Sequence, residues 1–202
     1  MKGQGRIDMS EAGAIEGAEF DTLMASLGID LAKPRLAVAV SGGADSMALV
    51  LLVSEWVRAQ DGEVVGLIVD HGLRPESKVE AQRVADRLKD KGISAQVLTW
   101  AGPKPSSSIQ AEARAARYKL LVEKCEALGL RHLLVAHHKD DQAETFMLRL
   151  SRGSGVDGLA CMAPISQPDV STSTQVRLLR PFLTVPKARL IATLQHRGVP
   201  WV

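Results

Sequence analysis

The chain has 202 residues, of which 46% are hydrophobic and 24% are charged, and its formal net charge at pH 7 is +2. These values are typical of a globular domain, whereas the aromatic content of 3% leaves few side chains for stacking on single-stranded nucleic acid. No apolar run approaches the length of a membrane span, so no membrane partner is expected. Cys125 and Cys161 form no Cys-x-x-Cys pair, which argues against a zinc site or disulfide framework and favours a reducing, cytoplasmic location.

The N-terminal part divides into a lead and the start of a domain. Residues 1–14 are predicted to be a flexible lead, and residues 15–202 are predicted to form one domain. Four apolar side chains then recur at the spacing of one helix face: Phe20, Leu23, Met24 and Leu27. This helix is expected to pack on the flank of the domain.

A small-residue stretch lies between a short apolar strand, residues 36–40, and an apolar helix, residues 47–57. Its six residues are Ser41, Gly42, Gly43, Ala44, Asp45 and Ser46. The glycines allow a sharp turn and a close approach to phosphate, and N–H groups at a helix start bind anions. The spacing is neither that of the Walker loop nor that of a dinucleotide fingerprint. A carboxylate here would repel bare phosphate but suits a bridging Mg²⁺. We therefore predict a nucleotide-binding turn with Asp45 as a metal ligand; the alternative is a purely structural turn.

The second strand, residues 63–69, ends in Asp70 and His71. Ligands of an open parallel sheet bind at the carboxyl ends of its strands, so both residues are predicted to bind the cofactor beside the first turn. Ser77 and Glu80 then have the spacing of a capping box, which predicts the start of the following helix.

A third strand, residues 95–99, leads to a helix predicted to begin at Ser107 and to end near Gly129. Arg114 and Arg117 are three residues apart and are therefore neighbours on this helix. Guanidinium groups suit a phosphate clamp, although paired arginines are also ordinary on a solvated helix face.

The fourth strand, residues 132–136, is followed by His137 and by a helix that carries Asp141 and Glu144 in its first turns. At 100° per residue, the two acidic side chains lie together on one side. The opposite side is apolar and is expected to pack in the core: Ala143, Phe146, Met147 and Leu150. The acidic residues could also serve only the helix dipole, and His137 only the structure. His137 and Asp141 have helical metal-ligand spacing, but the segment lacks the further ligands of a zinc site.

The remaining elements complete an alternating pattern. A glycine loop (152–158) and a polar stretch (167–175) precede a fifth strand (176–181) and a last helix (185–197). The pattern predicts an α/β fold, a doubly wound, mostly parallel five-stranded sheet with helices on both faces. Residues 149–202 hold seven Lys/Arg against two acidic residues, which indicates either a polyanionic partner or ordinary surface charge.

Five ordered motifs resemble a known family. Ser-Gly-Gly-x-Asp-Ser after a strand resembles the PP-loop of the N-type ATP pyrophosphatases, which cut ATP between its α- and β-phosphates and have an adenine nucleotide α hydrolase-like fold. Four further stretches narrow the resemblance to the tRNA(Ile)-lysidine synthetases: residues 69–74, 112–118, 136–155 and 179–183.

The resemblance implies an ATP- and Mg²⁺-dependent ligase. ATP would adenylate O2 of the wobble cytidine in tRNA(Ile) with a CAU anticodon, and the ε-amine of free L-lysine would attack C2 and expel AMP. The residues that the resemblance implicates in catalysis are Asp45, Arg114, Arg117, His137, Asp141 and Glu144.

The implied roles follow the chemistry of these side chains. Arg114 or Arg117 would neutralise the phosphates, and His137 would orient the nucleotide or its α-phosphate. Asp141 and Glu144 would bind the cationic lysine, and one of them would deprotonate its amine.

Alternatives remain open at this point. Family members continue beyond the position of residues 198–202 into an Asp-Pro-Ser-Asn segment and often into tRNA-binding domains, so residues 15–202 are expected to be the catalytic domain alone. A homodimer is compatible with the resemblance. Rival readings are an amidating ligase of the GMP or NAD synthetase type, a tRNA thiolase, which would be expected to show Cys-x-x-Cys, and a non-catalytic nucleotide-binding module.

Overall fold

The computed structural model describes residues 13–29, 32–72, 74–101, 109–153, 160–170 and 173–201. Most of the predicted lead, the predicted helix start at Ser107, residues 154–158 of the glycine loop and residues 171–172 of the polar stretch lie outside the described residues.

Strands and helices alternate along the described part of the chain. The strands are β1 (Arg35–Val40), β2 (Glu63–Asp70), β3 (Ser94–Thr99), β4 (His132–Leu134), β5 (Ile165–Ser166) and β6 (Arg177–Leu179). The helices are α1 (Gly17–Ala25), α2 (Ala44–Arg58), α3 (Ser77–Asp90), α4 (Ile109–Ala127), α5 (Lys139–Ser151) and α6 (Lys187–His196).

The strands form one sheet in the order β3-β2-β1-β4-β6-β5. Every neighbouring pair is parallel except β5 and β6, and Val38 of β1 pairs with Gly66 of β2 on one side and with Leu134 of β4 on the other. The predicted mostly parallel, doubly wound sheet is confirmed. The predicted number of five strands is wrong, because a two-residue antiparallel strand, too short to show a pattern of its own, pairs with the edge of β6.

Helices cover both faces of the sheet. Side chains of a strand alternate between the two faces, and the apolar side chains on each face are buried against helices. Leu36, Val38 and Val40 belong to a core cluster with α1, α2, α3 and α6, whereas Ala37 belongs to a second cluster with α4. The apolar β1 is therefore buried between two layers, as expected for a central strand of a parallel sheet.

Helix α5 contradicts the expectation drawn from its pattern. None of its side chains is buried, and Phe146, Met147 and Leu150 are 39%, 61% and 50% exposed. The helix lies beyond the end of β4 and is attached by polar bonds, among them those between the Gln142 side chain and the backbone of Met162. Periodicity shows that one side is apolar, but it does not show what that side contacts.

The last residues of the predicted lead are bound to α6. The side chain of Arg189 donates to the carbonyl oxygens of Gly13 and Ala14, and the Ile15 N–H donates to the buried hydroxyl of Thr193 at 2.9 Å. None of the helices in the described part of the chain is both long and apolar enough to span a membrane.

Candidate active site

The turn after β1 is closed by its own serines. Gly42 has a φ of +89°, a conformation that favours glycine, and Gly43 is the N-cap of α2. The Ser46 hydroxyl accepts from the Ser41 N–H at 3.1 Å and donates to the Gly43 carbonyl at 3.0 Å. Helix α2 starts at Ala44, three residues earlier than its apolar run indicates, so the second half of the motif forms the first turn of the helix.

A cavity of about 470 Å³ lies at the carboxyl ends of β1, β2 and β4. The strand order places β1 between β2 and β4, where the direction of winding reverses, and this is where open α/β sheets bind ligands. Eight of the predicted site residues line the cavity: Ser41, Asp45, Ser46, Asp70, His71, Arg117, His137 and Asp141.

Asp45 has the free oxygen that a metal site requires. Its Oδ2 lies 3.6 Å from Nε2 of His138 and 3.6 Å from Nζ of Lys187, whereas its Oδ1 is buried without a hydrogen-bond partner. A buried carboxylate oxygen left unpaired is costly unless a ligand satisfies it. In the part of the chain described, no three His, Cys, Asp or Glu side chains could hold a metal ion together. A cation would therefore take Asp45 together with phosphate oxygens, as Mg²⁺ usually does.

His138 joins Asp45 to the start of α5. It is the N-cap of the helix: its Nδ1 accepts from the Asp140 N–H at 3.3 Å, and its own N–H donates to Asp141 Oδ2 at 2.9 Å. Because Nδ1 accepts, Nε2 is the nitrogen that can donate, and it lies 3.6 Å from both Asp45 and Asp141. Asp141 therefore has a capping role and also lines the cavity.

His137 is bound from the opposite side of the site by Arg180. The Nε–H of Arg180 donates to His137 Nδ1 at 3.2 Å. Burial, followed by the charge of Arg180, lowers the pKa of His137 to about 4. The ring is therefore neutral at physiological pH.

The two predicted arginines differ in position. The guanidinium carbons of Arg114 and Arg117 lie 5.1 and 5.3 Å from the ring centroid of Tyr118, within cation–π range. Arg117 lines the cavity and Arg114 does not.

The residues after β2 form a fixed corner. Oδ1 of the buried Asp70 accepts from the Gly72 N–H at 2.9 Å and from the Ser77 hydroxyl at 2.6 Å, and the rings of His71 and Trp100 meet edge to face. The predicted capping box at Ser77 is wrong: Glu76 is the N-cap of α3, and the serine hydroxyl binds Asp70 instead.

The structure thus divides the predicted site residues into those that line the cavity and those that do not. Arg114 and the exposed Glu144 do not line the cavity, and Gly42, Gly43 and Ala44 form the backbone of the turn beside it. Sequence reasoning assigned no individual role to His138, Arg180 or Lys187, and it assigned Ser77 a capping role instead of its bond to Asp70. Arg180 lies near the carboxyl end of the predicted fifth strand and directly after the observed β6, so the rule of carboxyl strand ends could have found it. Nothing in the local sequence singles out Lys187.

A family model described as the PP-loop domain matches residues 17–202. The chain belongs to the PP-loop domain family. The turn at Ser41–Ser46 is the candidate PP-loop of this domain and is called the PP-loop below, and the cavity beside it is a candidate ATP site.

Several curated sequence relatives of this PP-loop domain carry the same name. It is 47% identical over 166 residues to a tRNA(Ile)-lysidine synthase from Bradyrhizobium sp., and 49% identical over 165 residues to one from Rhodopseudomonas palustris. These matches cover 81% of this chain but 45% and 46% of the relatives. The chain spans about half the length of the curated relatives it matches.

Two solved structures share this fold. A U34-tRNA thiolase from Methanococcus maripaludis, determined with its 4Fe–4S cluster, aligns with a TM-score of 0.75 at 17% identity. The alignment covers 91% of this chain and 64% of the thiolase chain. An NH3-dependent NAD synthetase from Campylobacter jejuni aligns with a TM-score of 0.53 at 13% identity. That alignment covers 92% of this chain and 75% of the synthetase chain. At these identities the likeness concerns the fold alone.

Proposed function

We propose that this PP-loop domain is the catalytic part of a tRNA(Ile)-lysidine synthetase. Its reaction would adenylate O2 of the wobble cytidine in tRNA(Ile) with a CAU anticodon and then join L-lysine to C2, releasing pyrophosphate and AMP. The observation that carries the proposal is one cavity shared by the PP-loop, Arg117 and Asp141, in a chain whose relatives bear that name.

The first step needs charge stabilisation, because pyrophosphate must leave at neutral pH. The N-terminus of α2 and the hydroxyls of Ser41 and Ser46 would hold the departing pyrophosphate. Arg117 would neutralise the phosphates from the other side of the cavity. Asp45 would hold Mg²⁺ through the oxygen that has no protein partner, and a bound Mg²⁺ supplies neutralising charge at the phosphates.

The second step needs a binder and a base for lysine. The carboxylates of Asp141 and Glu144 would bind the cationic amine, and one of them would accept its proton. The freed ε-amine then forms the C2–N bond, the C2–O2 bond breaks, and O2 leaves as a phosphate oxygen of AMP. Glu144 lies on α5, one turn after Asp141, so a lysine could extend from the cavity along that helix.

Two rival functions have weaker support. The NAD synthetase and the thiolase share the fold at 13–17% identity only. A thiolase of the cytidine type would be expected to show a Cys-x-x-Cys pair for a cluster, whereas Cys125 and Cys161 lie far apart in the sequence and Cys125 is buried. A non-catalytic nucleotide-binding module would use the same cavity, so only an activity assay separates it from the ligase.

The test is transfer of labelled lysine. The chain is incubated with ATP, Mg²⁺, labelled L-lysine and a tRNA(Ile) transcript with a CAU anticodon; the matched control is the same transcript with a UAU anticodon. Label is expected on the first transcript only, together with tRNA-dependent exchange of pyrophosphate into ATP. Binding of ATP without exchange or label would identify a nucleotide-binding module and overturn the proposal.

A further inference from the structure

Arg180 is a buried cation at the edge of the cavity. It is 8% exposed, and its Nη1 donates to the Ala163 carbonyl and to the Ser166 hydroxyl, both at 2.9 Å. Among the described residues no carboxylate pairs with its guanidinium, and burial, followed by the charge of Arg114, lowers the pKa of Arg180, whereas Tyr118 raises it. A buried charge with this surrounding requires polar partners that are fixed in place.

The Nε–H of Arg180 determines the state of His137. A guanidinium has only donors, so a bond from its Nε–H requires a lone pair on His137 Nδ1. In a protonated imidazole Nδ1 also carries a proton, so its N–H would face the Nε–H of Arg180 and no hydrogen bond could form. The neutral ring must then carry its proton on the opposite nitrogen, Nε2.

We infer that Arg180 is a positioning residue: it holds His137 as the neutral Nε2–H tautomer, so that His137 donates a hydrogen bond to a phosphate oxygen of the bound nucleotide and does not serve as a base. The identity of the ligand rests on the proposed function; the tautomer does not. His137 lines the same cavity as Ser41 and Asp45, and a phosphate oxygen can only accept.

The charges around His137 are consistent with this donor role. Arg180, Arg114 and Arg117 lower its pKa and Asp141 raises it, with burial as the largest cause and a value of about 4. The ring is thus flanked by three cations and one anion, which favours an anionic acceptor near its N–H.

The tautomer can be measured without any substrate. Long-range ¹H–¹⁵N spectra of the ¹⁵N-labelled chain distinguish Nδ1 from Nε2, and His137→Gln assigns the His137 signals among the five histidines. The wild-type ring is expected to be the Nε2–H tautomer from pH 5.5 to 8. An Nδ1–H tautomer or a protonated ring at pH 7 would overturn the inference.

Two variants separate the hydrogen bond from the charge. Arg180→Met removes both, so the tautomers become mixed and the pKa of His137 rises by at least about one unit. Arg180→Lys keeps the charge but loses the fixed Nε–H, so the tautomers mix while the pKa stays low. If both variants keep the pure Nε2–H tautomer, a group other than Arg180 sets the tautomer of His137. If Arg180→Met does not fold, a pure Nε2–H tautomer in Arg180→Lys leads to the same conclusion.

The donor role is tested by titration with MgATP, in the absence of tRNA and lysine. His137→Ala is expected to weaken binding by about tenfold, and His137→Gln, which restores an N–H donor, is expected to recover most of the loss. Equal losses in both variants would overturn the donor role. If the wild-type chain bound no ATP, the proposed function and the donor role would fail, while the NMR result would still decide what Arg180 does.

Discussion

At the scale of single residues, the ring of Tyr118 organises the cationic side of the cavity. Tyr118 is 5% exposed, and its ring lies beneath the guanidinium groups of Arg114 and Arg117. Two cations on one ring repel each other, and an anion between them would relieve that repulsion. Only Arg117 lines the cavity, so the two arginines should contribute unequally to nucleotide binding.

Replacement of Arg117 by methionine should therefore affect ATP more than the same change at Arg114. Arg117→Met is expected to raise the MgATP dissociation constant by about 10–100-fold, because a charge-assisted hydrogen bond contributes about 1.5–3 kcal/mol. Arg114→Met, the matched control, loses the cation–π contact but is expected to change the constant by less than about threefold. Calorimetric titration measures both, and equal losses would contradict the distinction.

His137 should make the protein sensitive to acid. Its pKa is about 4 in the folded chain and about 6.5 when unfolded, so the unfolded chain binds the proton more tightly. Stability contributed by the neutral ring is full above about pH 6.5 and is lost as the pH falls towards 4, by about 3 kcal/mol in total. His137→Gln should remove that part of the pH dependence, and His196→Gln, at an exposed histidine, should not. Urea unfolding from pH 4 to 7 measures the difference, and parallel curves for wild type and His137→Gln would count against it.

At the scale of elements, the sequence predicts the helices and strands whose own apolar pattern determines how they are buried. The apolar β1 and α2 are buried on both sides or along most of their length, so a run of apolar residues is enough to find them. Strand β5 has two residues and forms only because β6 offers an edge. The apolar side of α5 is exposed and the hydroxyl of Ser77 binds Asp70. Both depend on tertiary contacts, which the spacing of residues within one helix does not predict.

The same limit applies to the site. Strand ends and glycine spacing placed Ser41, Asp45 and His137 at one cavity, because parallel topology alone brings these ends together. Arg180 and Lys187 reach the site from the last third of the chain through contacts made only in the folded state.

The attachment of the segment before α1 to α6 provides an element-scale prediction. Thr193 is fully buried, and its hydroxyl accepts from the Ile15 N–H and donates to the Arg189 carbonyl. Thr193→Val keeps the volume but leaves the Ile15 N–H unpaired, which is expected to cost about 1–3 kcal/mol. Amide exchange at Ile15 should accelerate in this variant and stay slow in Thr193→Ser, which keeps the hydroxyl. Slow exchange in both would show that the bond does not hold the N-terminal segment.

At the scale of the whole molecule, the sheet separates two cavities of similar size. The second, about 440 Å³, lies at the opposite ends of β1 and β2 and is lined by Arg35, Arg58 and Glu63 among others. There Arg35 pairs with Glu63 and Arg58 with Ser54, whereas the first cavity contains the unpaired oxygen of Asp45. Size does not distinguish the two ends of the sheet, but unsatisfied polar groups and helix N-termini do.

MgATP should therefore protect one end of the sheet and leave the other unchanged. At a concentration 100 times its dissociation constant, binding to the folded state adds about 2.7 kcal/mol of stability, which raises the melting temperature. Hydrogen exchange should slow in the PP-loop, the first turn of α2 and the residues around His137, and should not slow around Arg58. Asp45→Asn should fold normally, because asparagine keeps the size of the half-buried side chain and Oδ1 has no partner to lose, but it should lose most of the Mg²⁺-dependent part of the shift. Protection around Arg58, or a full Mg²⁺-dependent shift in Asp45→Asn, would place the nucleotide or the metal elsewhere.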